Sequence, residues 1–164
     1  MIPILSVVGK SNVGKTTLVE KLLQELKARN YRVATVKHDV HGFNIDIPGK
    51  DTWRHGEAGA DVVIISSPTK MAMIKKVDKE MTLDEIAGAI EGVDLIMTEG
   101  YKRGNKPKIE VFRQGVYDDI LCSKEELIAL ATDVEFYIGV PCYGLDDAKG
   151  LVDRIEETLL NKTK

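Results

Sequence analysis

Cysteine is scarce in this 164-residue chain: Cys122 and Cys142 stand far apart and without metal-ligand spacing. A disulfide framework and a thiolate metal cage are thereby excluded, and two free thiols in a reducing compartment are expected. No apolar run approaches the ~20 residues that a membrane-spanning helix needs. Excess positive charge is missing too. The formal charge is −3, so no global field draws the chain to nucleic acid or anionic lipid. The basic segment and cleavage site of a secretory signal are absent, since Met1 leads straight into an apolar stretch, and a cytoplasmic location is expected. Internal repeats and low-complexity linkers are absent. Tryptophan occurs once, and Trp53 serves either as core or as a stacking surface. What remains is an ordinary globular composition, 43% hydrophobic and 30% charged, at a length that fits one domain over residues 1–164.

The strongest signal lies near the start. Gly9-Lys10-Ser11-Asn12-Val13-Gly14-Lys15-Thr16 satisfies G-x-x-x-x-G-K-[ST]. It follows the apolar run Ile2–Val8 and precedes an amphipathic segment beginning at Thr17-Leu18-Val19. Strand, loop and helix in that order define a phosphate loop, whose glycines let backbone N–H groups close on an anion. Gly9, Lys10, Ser11, Asn12, Val13, Gly14, Lys15, Thr16 and Thr17 are therefore read as the nucleotide-binding residues. Lys15 faces the β- and γ-phosphates, and the Thr16 hydroxyl is a Mg2+ ligand.

The rest of the chain alternates strand and helix. A helix is predicted over 15–29 with Leu18, Leu22, Leu23 and Leu26 as its apolar stripe, and Asn30 is its stop. Strands are predicted at 31–37, 61–67, 71–75, 93–98, 109–113, 127–131 and 137–143, with 61–67 and 71–75 forming a hairpin. Short helices are expected at 51–58, after the capping box Thr82–Glu85, and over one turn at Ser123–Glu126; a final helix starts near Asp147. The fold class is α/β: a phosphate-loop domain with a mostly parallel twisted sheet, helices on both faces and an antiparallel hairpin extension.

In such sheets ligands sit beyond the carboxyl ends of the strands. Glu99, delivered by the apolar run Leu95–Thr98, is the candidate acid that holds Mg2+ opposite Thr16. Asp39, in the polar cluster with His38 and His41, either adds a Mg2+ ligand or orients the attacking group. The catalytic candidates are Lys15, Glu99 and Asp39; the metal candidates are Thr16, Glu99 and Asp39. Asp46 and Asp51 belong to a long polar loop that could close over phosphates. Asp133 is a candidate reader of guanine N1 and N2, although the chain has no Asn-Lys-x-Asp motif. Lys102, Arg103, Lys106 and Lys108 form a basic loop, either a solvated surface or a receiver for an anionic substrate or acidic partner. Residue chemistry alone stops at a Mg2+-dependent nucleoside triphosphatase or transferase.

Several stretches together carry a resemblance: the phosphate loop, Val36-Lys37-His38, Asp46-Ile47-Pro48-Gly49-Lys50-Asp51-Thr52 with Ala58-Gly59-Ala60, and Asp94 through Lys102. They resemble the molybdopterin-guanine dinucleotide biosynthesis protein B family over nearly the whole chain. The resemblance implies a weakly hydrolytic GTP-binding adapter, with GTP and Mg2+ as its cofactors. It implies a homodimer that assists a molybdopterin guanylyltransferase-type partner enzyme in attaching GMP to molybdopterin, and a molybdopterin ligand is compatible with it. The Glu99-Gly100 ending also resembles that of dethiobiotin synthetase and its dimeric relatives. Lys10 falls where that wider class often carries a lysine reaching the partner subunit's nucleotide. Ser11 and Asn12 replace the glycines that usually follow, and a surface lysine is the plainer reading of Lys10.

Overall fold

The computed structural model describes residues 1–161. In chain order the elements are β1 (Ile4–Val8), α1 (Lys15–Ala28), β2 (Val33–Lys37), α2 (Asp51–Glu57), β3 (Val62–Ser66), β4 (Met71–Lys75), α3 (Leu83–Gly88), β5 (Leu95–Glu99), β6 (Lys108–Phe112), β7 (Leu127–Thr132), β8 (Cys142–Gly144) and α4 (Ala148–Ile155). A π-helical turn, Glu156–Leu160, extends α4. The chain divides into two compact units, one made of Met1–His38 and the residues from Ala87 onward, the other of Asp39–Ile86.

In the larger unit six strands pair in the order β2-β5-β1-β6-β7-β8, every pair parallel. Parallel strands buried on both sides need apolar side chains in both directions, and β1 and the first four residues of β5 are buried throughout. α1 turns Leu18, Val19, Leu22 and Leu26 into the core, where α4 adds Leu151, Val152 and Ile155. Each such side chain contributes roughly 1.5–3 kcal/mol of apolar burial, which is what holds the helices on the sheet. α1 ends as predicted at Asn30, whose φ of 66° belongs to the left-handed region. The Asn30 N–H donates to the Lys27 carbonyl and the Tyr31 N–H to that of Leu26, the paired bonds of a Schellman stop.

Several elements differ from expectation, four of them for clear local reasons. β2 starts at Val33 because Tyr31 completes the helix stop and the Arg32 N–H donates to the Asp94 carboxylate at 2.7 Å. Ser123–Glu126 is a turn, in which Glu126 accepts from the Ser123 N–H at 3.0 Å, and no helical turn forms. Of 137–143 only the last two residues are strand, since β8 spans Cys142–Gly144. The last helix widens at Glu156, where Thr158 Oγ1 donates back to the Arg154 carbonyl at 2.7 Å.

The smaller unit holds α2 and the hairpin β3–β4, which pairs antiparallel in its own two-stranded sheet. Its capping box is formed: the Thr82 N–H donates to Glu85 at 2.7 Å and the Glu85 N–H to Thr82 Oγ1 at 3.2 Å. Val63 is buried within the unit, whereas Val62, Ile64, Met71 and Met73 are exposed.

Candidate functional site

Between β1 and α1 the backbone makes the turn that the motif demands. Gly9 has φ 148°, and a Cβ there would lie 2.7 Å from the Val111 carbonyl oxygen and 2.9 Å from Val13 Cγ2. No L-residue tolerates both the dihedral and the contact. Asn12 has φ 63°, and Gly14, the residue that caps α1, has φ 99°. Val13 is fully buried and pins the loop from inside, while Lys10, Ser11, Asn12, Thr16 and Thr17 are exposed. The helix N-terminus is left with N–H groups that no side chain caps, the arrangement that attracts an anion.

Lys15 Nζ donates to the Lys10 carbonyl at 2.7 Å, so the lysine arches over its own loop. Burial lowers its pKa; Glu99 opposes that shift, and Lys37 and Lys102 add to it. Thr16 Oγ1 donates to Glu99 Oε1 at 2.9 Å, and Lys37 Nζ stands 4.0 Å from the same oxygen. Sheet register explains the meeting: Val7 of β1 is level with Glu99 of β5, which is level with Lys37 of β2. Gly100 has φ 103°, and a Cβ on it would press to 3.3 Å against His38 Cβ. The His38 N–H donates to the Glu99 carbonyl at 3.0 Å, and its ring stacks on Tyr101 at 4.6 Å.

Glu99 and Thr16 fit Mg2+. They are adjacent hard oxygen donors at a phosphate-binding loop, and Mg2+ takes one or two protein oxygens while keeping waters and phosphate oxygens. Among the described residues no three His, Cys, Asp or Glu side chains converge as a protein-only metal cage.

The other candidates occupy varied places. Lys10 Nζ sits 4.8 Å above the ring of Tyr117 of its own chain. Tyr117 is itself anchored, its hydroxyl 2.7 Å from the Val111 carbonyl and 3.1 Å from Glu110 Oε1. Asp39 is the first residue of the smaller unit, and its Oδ1 accepts the His41 N–H at 2.9 Å. Asp46 Oδ1 accepts from Thr52 Oγ1 and from the Ile47 N–H, both at 2.9 Å, which ties the loop to the start of α2. Asp51 lies 3.9 Å from Arg54. Trp53 is half-buried within its unit, beside a cavity of about 340 Å3 that Phe43, Ile45 and Lys76 also line. Asp133 Oδ1 accepts the Gln114 N–H at 2.9 Å, and the residue borders an open cleft of about 770 Å3 with Thr132, Glu135, Tyr143, Asp146 and Asp147.

The basic loop loses one of its four cations. Lys108 is fully buried in β6, with Nζ donating to Glu126 Oε1 and the Gly104 carbonyl, each at 2.6 Å. Three neighbours of the phosphate loop escaped the sequence reading: Glu110, Tyr117 and Arg113. Glu110, also fully buried, takes the Leu121 and Cys122 N–H groups at 2.8 and 2.9 Å. Arg113 follows β6 and is exposed beside Gly14.

A parallel sheet with a glycine loop closing on a helix N-terminus, and an acid from the neighbouring strand meeting its threonine, defines a phosphate-loop NTPase fold. The model of the family described as molybdopterin guanine dinucleotide synthesis protein B matches residues 4–133, and the chain belongs to that family. It is 36% identical over 160 residues to a molybdopterin-guanine dinucleotide biosynthesis adapter protein of Haemophilus influenzae, covering 96% of this chain and 90% of that one. Identity to the Escherichia coli protein of the same description is 34% over 163 residues, with 96% and 93% covered. A crystal structure of molybdopterin-guanine biosynthesis protein B superimposes with a TM-score of 0.74 at 31% identity, covering 95% of this chain and 98% of that one.

Proposed function

We propose that this protein is a Mg2+-dependent GTP-binding adapter in molybdopterin guanine dinucleotide synthesis. It assists the attachment of GMP to molybdopterin while a guanylyltransferase partner performs the transfer, and it acts in the cytoplasm. The observation that carries the nucleotide part is the approach of Thr16 Oγ1 to Glu99 Oε1 beside Lys15 and a strained glycine loop. The adapter part is supported by the descriptions of the relatives, which the chain matches over nearly their full length.

The loop N–H groups and Lys15 bind the phosphate chain, and Lys15 leaves the Lys10 carbonyl to do so. Thr16 and Glu99 hold the metal, which when bound neutralises charge on the β- and γ-phosphate oxygens. Asp39 is the further acid of this reading, as a Mg2+ ligand or in orienting water, and hydrolysis is slow. Asp133 reads the guanine edge with the acceptor capacity that the Gln114 N–H leaves unused.

The adapter works as a homodimer. Support comes from β3 and β4: Val62, Ile64, Met71 and Met73 share one face and are all exposed, an apolar patch of the kind monomers rarely keep. Substituting Met73 by Glu should give a monomer in sedimentation velocity; a monomeric unsubstituted protein would overturn this part.

Calorimetric titration with GTP and with ATP, each with Mg2+, tests the nucleotide part alongside Lys15→Ala. GTP preference that disappears in the variant is expected. Equal or tighter ATP binding would turn the reading toward a kinase of a small anionic acceptor. Co-purification with a molybdopterin guanylyltransferase tests the adapter role, and failure of that capture would overturn it.

A further inference from the structure

We infer that Arg113 is a phosphate-binding residue of this site, supplied in cis, that grips the α-phosphate. The inference rests on reading the glycine loop as a nucleotide site. Arg113 is the first residue beyond β6, and its Nη2 stands 3.7 Å from the point a Cβ on Gly14 would occupy. Gly14 caps α1, so the guanidinium hangs beside the free N–H groups of that helix. A cation placed at the positive end of a helix gains nothing from the dipole. Its position becomes favourable when an anion lies between the two.

The other contacts of Arg113 make the same point. The guanidinium groups of Arg29, Arg54 and Arg154 each meet a carboxylate within 4.0 Å, whereas among the described residues those of Arg32, Arg103 and Arg113 meet none, and of these three it is Arg113 that stands beside Gly14. The Arg113 guanidinium has no hydrogen bond or ion pair among the described residues. Its backbone is nevertheless held in place: the Val116 N–H donates to the Arg113 carbonyl at 3.3 Å, and the next residue, Gln114, donates its N–H to Asp133. An exposed, unpaired arginine on an anchored backbone beside a phosphate loop has the fork geometry that suits phosphate oxygens.

Sheet order assigns the phosphate. β1 lies between β5 and β6, so Glu99 and Arg113 flank the loop from opposite sides. Lys15, Thr16 and Glu99 mark the metal side, where the β- and γ-phosphates belong. The open cleft edged by Asp133 and Asp146 lies toward β7 and β8, on the Arg113 side. A nucleotide with its terminal phosphates at the metal pair and its nucleoside in that cleft passes its α-phosphate beside Arg113.

The test is equilibrium binding of fluorescent GDP and GTP analogues, with Mg2+, to the unsubstituted protein and to Arg113→Gln and Arg113→Lys. Loss of an α-phosphate grip weakens both nucleotides alike, by about ten- to hundredfold in Arg113→Gln, with partial recovery in Arg113→Lys. Unchanged thermal midpoints are expected for a substitution at this exposed position. A loss confined to GTP would move the contact to the γ-phosphate and overturn the assignment, and unaltered binding of both would remove Arg113 from the site. If the unsubstituted protein binds neither nucleotide, the nucleotide reading itself falls; if it binds both and the Arg113 variants bind them as tightly, this inference alone falls.

Discussion

Thr16 Oγ1 lies 2.9 Å from Glu99 Oε1, joining the first helix to the end of a strand 83 residues later. If, as proposed, a divalent cation is held by the same two oxygens, the charge on Glu99 would matter more to the metal than to the fold. Glu99→Gln keeps an oxygen for Thr16 and removes the charge. It should lower the apparent Mg2+ affinity of the nucleotide complex by tenfold or more, roughly 1.4 kcal/mol, and leave the urea midpoint of the free protein nearly unchanged. Mg2+ titrations at constant nucleotide check this; an unaltered Mg2+ dependence would take Glu99 out of the site.

Gly9 makes a separate prediction, about folding. Gly9→Ala places a methyl 2.7 Å from the backbone oxygen of Val111, at a φ of 148°. Both β1 and β6 are central strands, so neither backbone can retreat cheaply. A loss of about 2–4 kcal/mol in urea unfolding is expected. Gly115, with nothing within 4 Å of its would-be Cβ, is the control for positive φ without a clash. Equal losses at the two positions would show that backbone strain alone, and not the approach of β6, makes glycine necessary at position 9.

The phosphate loop, the alternation of strand and helix, the Asn30 stop and the hairpin were all legible, because each is written in a few adjacent residues. Glu99 was legible for a related reason: an apolar strand ending in one carboxylate is a local pattern, and parallel register then carries it to Thr16. β6 was not. Lys108-Ile109-Glu110-Val111 alternates as a half-solvated strand does, yet Lys108 and Glu110 are fully buried, the ammonium met by Glu126 and the Gly104 carbonyl and the carboxylate by the Tyr117 hydroxyl and the Leu121 and Cys122 N–H groups. No local spacing announces such partners. Arg113 was hidden similarly, since its closeness to Gly14 comes from strand order and not from sequence distance.

The Lys108–Glu126 pair predicts an asymmetry between its two halves. Lys108 has no exposed side-chain surface, while Glu126 keeps 41% of its own. Removing Glu126 strands a buried ammonium with only the Gly104 carbonyl, and Glu126→Ala should cost about 3 kcal/mol. Lys108→Met leaves a carboxylate that water reaches and that still accepts from the Ser123 N–H, and should cost less than half as much. Hydrogen bonding from Lys108, then from Ser123, holds the Glu126 pKa below the ordinary carboxylate range. A depressed acid stabilises the fold above its unfolded pKa and loses that contribution as pH falls through the folded value. The acid limb of a stability–pH profile should therefore flatten in Glu126→Ala, and equal costs for the two substitutions would contradict the asymmetry.

The thiols differ in a way that alkylation can read. Burial, followed by the Glu110 carboxylate, pushes the Cys122 pKa up to about 12. Cys142 is exposed, and burial raises its pKa as well. At pH 8 a thiol with a pKa near 12 is roughly 0.01% thiolate, against roughly a quarter for an ordinary one, and only the thiolate is alkylated. Iodoacetamide should label Cys142 first and reach Cys122 only after urea unfolding, when its rate should rise about a thousandfold. The same shift has a sign for folding. A raised thiol pKa stabilises the native state below the ordinary thiol pKa, and that contribution is lost as pH rises toward the folded value, because the unfolded thiol ionises first. Cys122→Ala should therefore flatten the alkaline limb, and equal alkylation rates for the two cysteines in the folded protein would contradict the burial of Cys122 beside Glu110.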